Sequence, residues 1–246
     1  MPVFIISILI QVALVAHVIK TGRNTLWIWA LIFLPLAGSL AYFAIEILPE
    51  LVGGRAGRRV VSSAKRTIDP AGDLRRAQRQ LRANDSIENR RRVANELCSR
   101  GHYVQAIDYY RQALTGLYEH DPYLLLGMAN AQFLSGDAAG ARATLDRLRE
   151  HNPDFKSAEG HLLYARALEG EGNLDKAREE FAAVAVYYPG AEARYRYASL
   201  LARMGQGSLA RDVLTQLLTD AEFATKYFRR EQREWLTAAK RELQSL

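Results

Sequence analysis

Cysteine is nearly absent from this chain of 246 residues: Cys98 is the only one, so no intrachain disulfide can form and no zinc site built from several thiolates is available. Also missing is any Ser/His/Asp arrangement, metal-ligand spacing or phosphate-binding glycine loop, so an enzyme is not expected, nor a cofactor, a metal or a small-molecule substrate. Two stretches, residues 3–19 and 26–45, lack Lys, Arg, Asp and Glu altogether. A net charge of +6 suggests nucleic acid at first sight. The excess, however, lies wholly within residues 51–84, where nine basic residues face only Asp69 and Asp73. Residues 1–50 balance, and the remainder is close to neutral. No aromatic residues interleave the arginines of the basic stretch, and nucleic-acid binding is not expected.

What the chain does contain is a period. Gly101, Gly136, Gly172 and Gly205 recur at intervals of 33–36 residues, and each is followed five positions later by Ala106, Ala141, Ala177 or Ala210. Nine positions after each glycine stands Tyr110, Leu145, Phe181 or Leu214, and Pro153 and Pro189 follow the second and third glycines by seventeen. Such a period implies stacked helix pairs, since one pair cannot bury its own apolar face. Ala where two helices cross permits close approach, and the larger residue fills the gap to the next pair. Gly between the helices accommodates a left-handed backbone position, and Pro is expected to begin the next helix.

This pattern resembles the tetratricopeptide repeat over residues 87–220. Ala94, Ala106, Tyr110 and Ala113 mark a first copy and Leu125, Ala129, Ala141 and Leu145 a second. Ala165, Leu168, Ala177 and Phe181 mark a third, and Ala198, Ala210, Leu214 and Leu217 a fourth. The resemblance implies an α-solenoid whose first helices line a concave, peptide-binding groove. By register the groove residues are Arg91, Asn95, Asn130, Phe133, Arg166, Glu169, Tyr195 and Arg203, with Leu126, Leu162 and Ser199 among them. Arg91 and Asn95 fit the first two places of the carboxylate clamp found in chaperone-binding members, but Gly127, Glu159 and Leu163 break it. Asp85 followed by Glu88 has the form of a capping box at the start of the array. Residues 222–246 carry the pattern of one long amphipathic helix that would cap its open end.

The apolar stretches 3–19 and 26–45 would reach about 25 and 30 Å as helices, against a hydrocarbon core of about 30 Å. They are expected to form a transmembrane hairpin within residues 1–50. Pro35 is expected to kink its second helix, and Ala37, Gly38 and Ala41 to offer a close-packing face. A cleaved signal peptide is the rival for the first stretch, but the charged start and small-residue cleavage site are lacking. Arg55, Arg58, Arg59, Lys65 and Arg66 follow the second stretch, against two basic residues in the loop, which places the C-terminal domain in the cytoplasm. The same five form a basic patch suited to anionic lipid headgroups. The run from Trp27 through Trp29, Pro35 and Gly38 to Tyr42 resembles the two-helix N-terminal domain of bacterial cardiolipin synthases and related phospholipase D proteins. That family's H-x-K-x-x-x-x-D motif is absent, so the resemblance implies an anchor without catalysis.

The expectation is therefore an all-α protein: a transmembrane hairpin (1–50), a basic juxtamembrane linker (51–84), about four tetratricopeptide-like repeats (85–221) and a capping helix (222–246). Such a chain would be a multi-pass protein of a bacterial inner membrane. Two functions stay open. One is an adaptor recruiting a protein partner through the groove; the other is an accessory subunit of a phospholipid or envelope-biogenesis enzyme, acting through the hairpin.

Overall fold

The computed structural model describes residues 2–21, 26–34, 39, 41, 42 and 72–246, and the chain divides into two units, 1–72 and 73–246. Among the described residues every regular element is a helix.

In the first unit, α1 (Pro2–Thr21) packs on α2 (Leu26–Phe33). Val18, Leu31 and Tyr42 are buried there. Tyr42 hydrogen-bonds through its hydroxyl to His17 Nδ1 at 2.9 Å and meets Trp27 edge-on at 5.3 Å. Among the described residues no helix is long and apolar enough to cross a membrane. Within the second apolar stretch the described helix α2 runs over eight residues, about 12 Å at ~1.5 Å per residue, and residues 39, 41 and 42 are helical again. In α1 the apolar surface is interrupted by Gln11, by His17, whose ring is engaged by Tyr42, and by Lys20. The expected multi-pass inner-membrane location, with its transmembrane hairpin and inside-outside assignment, is corrected accordingly. Pro35, Ala37, Gly38 and the basic patch of Arg55, Arg58, Arg59, Lys65 and Arg66 lie outside the described residues.

The second unit opens with α3 (Gly72–Ala83), an amphipathic helix whose Leu74, Ala77 and Leu81 pack on the first repeat's core. Four helix pairs follow: α4 (Ile87–Cys98) with α5 (Tyr103–Ala113), α6 (Pro122–Leu134) with α7 (Ala138–His151), α8 (Ala158–Gly170) with α9 (Leu174–Tyr187), and α10 (Glu192–Arg203) with α11 (Gly207–Phe223). Gly101, Gly136, Gly172 and Gly205 adopt φ values of 78°, 93°, 80° and 78° at the turn inside each pair. In each turn the next amide reaches back to the helix: His102 to Leu97, Asp137 to Gln132, Asn173 to Leu168 and Gln206 to Leu201, at 2.9–3.0 Å. This is the six-to-one bond of a Schellman termination, repeated four times. Ala106, Ala141, Ala177 and Ala210 are each fully buried at the crossings, with Tyr110, Leu145, Phe181 and Leu214 buried above them.

Three local expectations change. The cap of α4 is Ser86, whose Oγ accepts from the Asn89 amide, while Asp85 instead forms two 2.7 Å bonds with Arg90. That hydrogen-bonded guanidinium holds the Asp85 carboxyl below its ordinary range. Of the three prolines in the repeats only Pro122 begins a helix, behind Asp121, whose carboxylate accepts from the Tyr123 and Leu124 amides. Pro153 and Pro189 lie in the connectors, and α8 starts later, behind Ser157. The first repeat is lengthened by a 3-10 turn, Gly116–Tyr118, which Arg147 ties to α7 through the Glu119 carbonyl at 2.8 Å. Past α11 the C-terminal segment is two helices, α12 (Lys226–Glu231) and α13 (Arg233–Ser245), with Gln232 between them. Gln232 explains the break: its side-chain oxygen accepts from the Ala191 amide at 2.8 Å, pinning the junction to the start of α10.

Candidate functional site

The first helices of the repeats, α4, α6 and α8, together with the start of α10, border a groove of about 600 Å³. Side chains at i, i+3 and i+4 share a helix face, and this periodicity sets the lining. From α4 come Arg91, Asn95 and Cys98; from α6 Leu126, Gly127 and Asn130; from α8 Glu159, Leu162 and Arg166. Six of the eleven sequence-derived groove residues are thus brought together, Leu126, Leu162 and the polar Arg91, Asn95, Asn130 and Arg166, while Ser199 is not in the lining.

Each is held differently. Arg91 pairs with Glu88 one turn earlier at 2.8 Å. Asn95 accepts a short hydrogen bond from the Tyr110 hydroxyl. Tyr110 is buried, and burial pushes its phenol well above its ordinary pKa, so it stays a neutral donor. This contact is possible because Gly127 has no side chain: a Cβ there would stand 2.7 Å from the Tyr110 ring. Asn130 is exposed, and no hydrogen bond engages its amide among the described residues.

Arg166 is the most constrained. Its guanidinium lies over the Phe133 ring at 4.6 Å, within cation–π range. One terminal nitrogen reaches Glu192 only at 3.8 Å, because Glu192 is already bonded to Arg196 at 2.7 Å. Its Nε is buried with no acceptor. Burial, seconded by the nearby Arg196 charge, lowers its pKa from the ordinary value. A buried N–H without an acceptor is costly.

The other four sequence-derived residues lie elsewhere. Phe133 serves as the platform under Arg166, and Glu169 and Arg203 pair with each other across adjacent repeats. Tyr195 faces the C-terminal helices, with its ring 5.7 Å from that of Trp235. The register runs on into the fourth repeat, but there the covering helix takes up the face. Register alone does not single out Tyr110, Tyr123, Tyr188 and Glu192 as lining the groove. Tyr188 follows α9 directly, in the connector that the proline rule assigns to the next helix. Among the described residues no group of His, Cys, Asp and Glu is arranged to hold a metal.

Residues 97–161 match the family model described as "Tetratricopeptide repeat". Among solved structures, MamA from residue 41 onward of Desulfovibrio magneticus RS-1 is similar with a TM-score of 0.56 and 16% identity, over 66% of this chain and 91% of that one. Another crystal structure of MamA has a TM-score of 0.54 and 19% identity, over 65% and 87%. TTC0263, a thermophilic tetratricopeptide protein of Thermus thermophilus, has a TM-score of 0.51 and 19% identity, over 67% and 89%. At these identities the likeness is one of fold. No curated protein matches the chain. Residues 97–161 thus match a tetratricopeptide-repeat model, and about two thirds of the chain shares the helical-repeat fold of these solved structures.

Proposed function

We propose that the chain is a scaffold that recruits a protein partner by taking an extended segment of it into the groove between α4, α6 and α8. The observation that carries this reading is a pair of under-used donors lining one cleft: the exposed Asn130 amide, and the Arg166 guanidinium, whose terminal nitrogen reaches Glu192 only at 3.8 Å. A main-chain carbonyl laid along the groove would accept from the Asn130 amide and from the terminal nitrogens of Arg166. Arg91, Asn95, Phe133, Glu169, Tyr195 and Arg203 support the groove's shape and ends in this reading. The segment 85–221 is its recognition domain, and α12 with α13 its cap. No chemistry is assigned to the chain. The alternative of an accessory subunit acting through a transmembrane hairpin goes with that hairpin.

The test is photo-crosslinking in the native host from position 123, an exposed place on the groove lining that keeps Asn130, comparing the otherwise intact chain with one that also carries Arg166→Glu. We expect an adduct with a discrete partner that the charge reversal abolishes, while far-UV circular dichroism stays the same. Identical adducts from both forms would overturn the groove reading.

A further inference from the structure

α8 has a second working face. Opposite the groove, a cavity of about 810 Å³ opens between the end of α7, the connector 152–157, α8 and α9. Its size falls within the range of about 300–1,000 Å³ over which small ligands and anchoring side chains are held. The apolar floor is made by Leu145 and Leu148, both buried, with Phe155 and Tyr164 beside them.

Six charged or titratable side chains line it, Arg149, Lys156, His161, Tyr164, Glu180 and Tyr187, and they are not equivalent. Glu180 is occupied: its carboxylate lies 2.6 Å from His161 Nε2, and the Tyr187 hydroxyl lies 2.5 Å from His161 Nδ1. One assignment satisfies all three groups, with Nε2–H donating to Glu180 and the Tyr187 hydroxyl donating to Nδ1. That chain of bonds ties α9 to α8 and consumes the only acid in the lining. Arg149 and Lys156 are different. Both are exposed, and neither is paired with a carboxylate among the described residues. Arg149 is laid flat over the Tyr164 ring at 5.0 Å, and Lys156 donates only a long 3.4 Å bond to the Pro153 carbonyl. The result is an apolar floor, a preorganised wall whose anion is already engaged, and two free cations at the rim.

From this charge complementarity we infer that the cavity is a second docking site, for a protein segment in which an Asp or Glu stands next to a bulky apolar residue. The apolar side chain would cover Leu145, Leu148 and Phe155, and the carboxylate would bridge Arg149 and Lys156. The inference is independent of the groove reading, because the two sites use opposite faces of α8.

The probe is a blocked tetrapeptide alternating glutamate with leucine and phenylalanine, titrated into the isotope-labelled full chain and followed by NMR. Glutamine-for-glutamate and lysine-for-glutamate versions, and octanoate, are run beside it. The acidic peptide is expected to give saturating shifts at Lys156, His161 and Tyr164, and the lysine version none. Arg149→Gln with Lys156→Gln should weaken binding about tenfold or more, as loss of charge-assisted contacts does. Arg149→Lys with Lys156→Arg should keep the binding, and Asn130→Ala should leave it unchanged. The inference is overturned by absence of saturation at the cavity, by equal binding of the lysine peptide, or by loss of binding in the charge-conserving variant. Octanoate saturating the cavity where no peptide does would also overturn it, in favour of a small anionic amphiphile. Shifts confined to Asn130 and its neighbours would sink the cavity and leave the groove standing.

Discussion

Gly127→Ala reverses the usual sign of a glycine substitution in a helix. Within a helix this exchange ordinarily stabilises by about 0.8–1 kcal/mol, because Ala gives up less backbone entropy. Gly127 sits in the middle of α6, yet its added Cβ would stand 2.7 Å from Cε1, Cζ and Oη of Tyr110. The tyrosine cannot retreat, being 2% exposed and bonded to Asn95. Overpacking of this kind costs about 1–3 kcal/mol, which leaves a net loss of about 1 kcal/mol. Gly136→Ala is the control: φ is 93° and nothing lies within 4 Å of the new Cβ, so the cost is conformational only, about 1–2 kcal/mol. Urea unfolding followed by circular dichroism measures both, with an unchanged slope certifying that stability alone has moved. Adding Tyr110→Leu should make Gly127→Ala stabilising while leaving the Gly136→Ala cost in place. If Gly127→Ala alone stabilises the chain by about 1 kcal/mol, the close approach of α5 to α6 described above is wrong.

Two further outcomes follow from the packing. Phe181→Ala empties a fully buried site between the third and fourth repeats and should cost about 3–5 kcal/mol, read as a lowered urea midpoint. Tyr110 supplies a pH limb: burial raises its folded-state pKa above the ordinary value near 10, so its contribution is complete below about pH 10 and is lost as pH rises beyond. Stability should therefore fall on the alkaline side, and Tyr110→Phe should flatten that fall; an unchanged alkaline slope in the variant would refute the assignment.

The solenoid was readable because its requirements repeat. A left-handed residue ends each first helix and a crossing must be narrow, so Gly and Ala return at every pair, whatever lies between. The groove was half readable for the same reason. Arg91, Asn95, Asn130 and Arg166 follow from helix register, whereas Tyr195 and Arg203 follow the same register onto a surface where other contacts intervene. Trp235 meets Tyr195 and also lies under Arg196 at 5.0 Å, and Glu169 takes Arg203. The apolar N-terminal stretches suggested a membrane hairpin from hydropathy, whereas among the described residues no helix is long and apolar enough to cross a membrane.

What had no signal is instructive for where specificity can reside. The connector 152–157 wraps past Pro153 before Ser157 caps α8, and that detour creates the rim on which Lys156 stands. Tyr188 enters the groove from the corresponding connector before α10, and Glu192 from the first residue of that helix. Residues of this kind carry no period, since each answers to particular neighbours: Glu192 to Arg196 and Arg166, and Tyr187 to His161. The crossing positions cannot vary without losses such as that worked out for Phe181. Recognition is consequently left to the groove-facing positions and the connectors, and the Arg166 guanidinium, held to Glu192 only at 3.8 Å, is where that freedom leaves a measurable deficit. A partner oxygen placed there would raise the unfolding midpoint of the intact chain. It would fail to raise that of an Arg166→Met chain, in which the same apolar stem over Phe133 makes no demand for an acceptor.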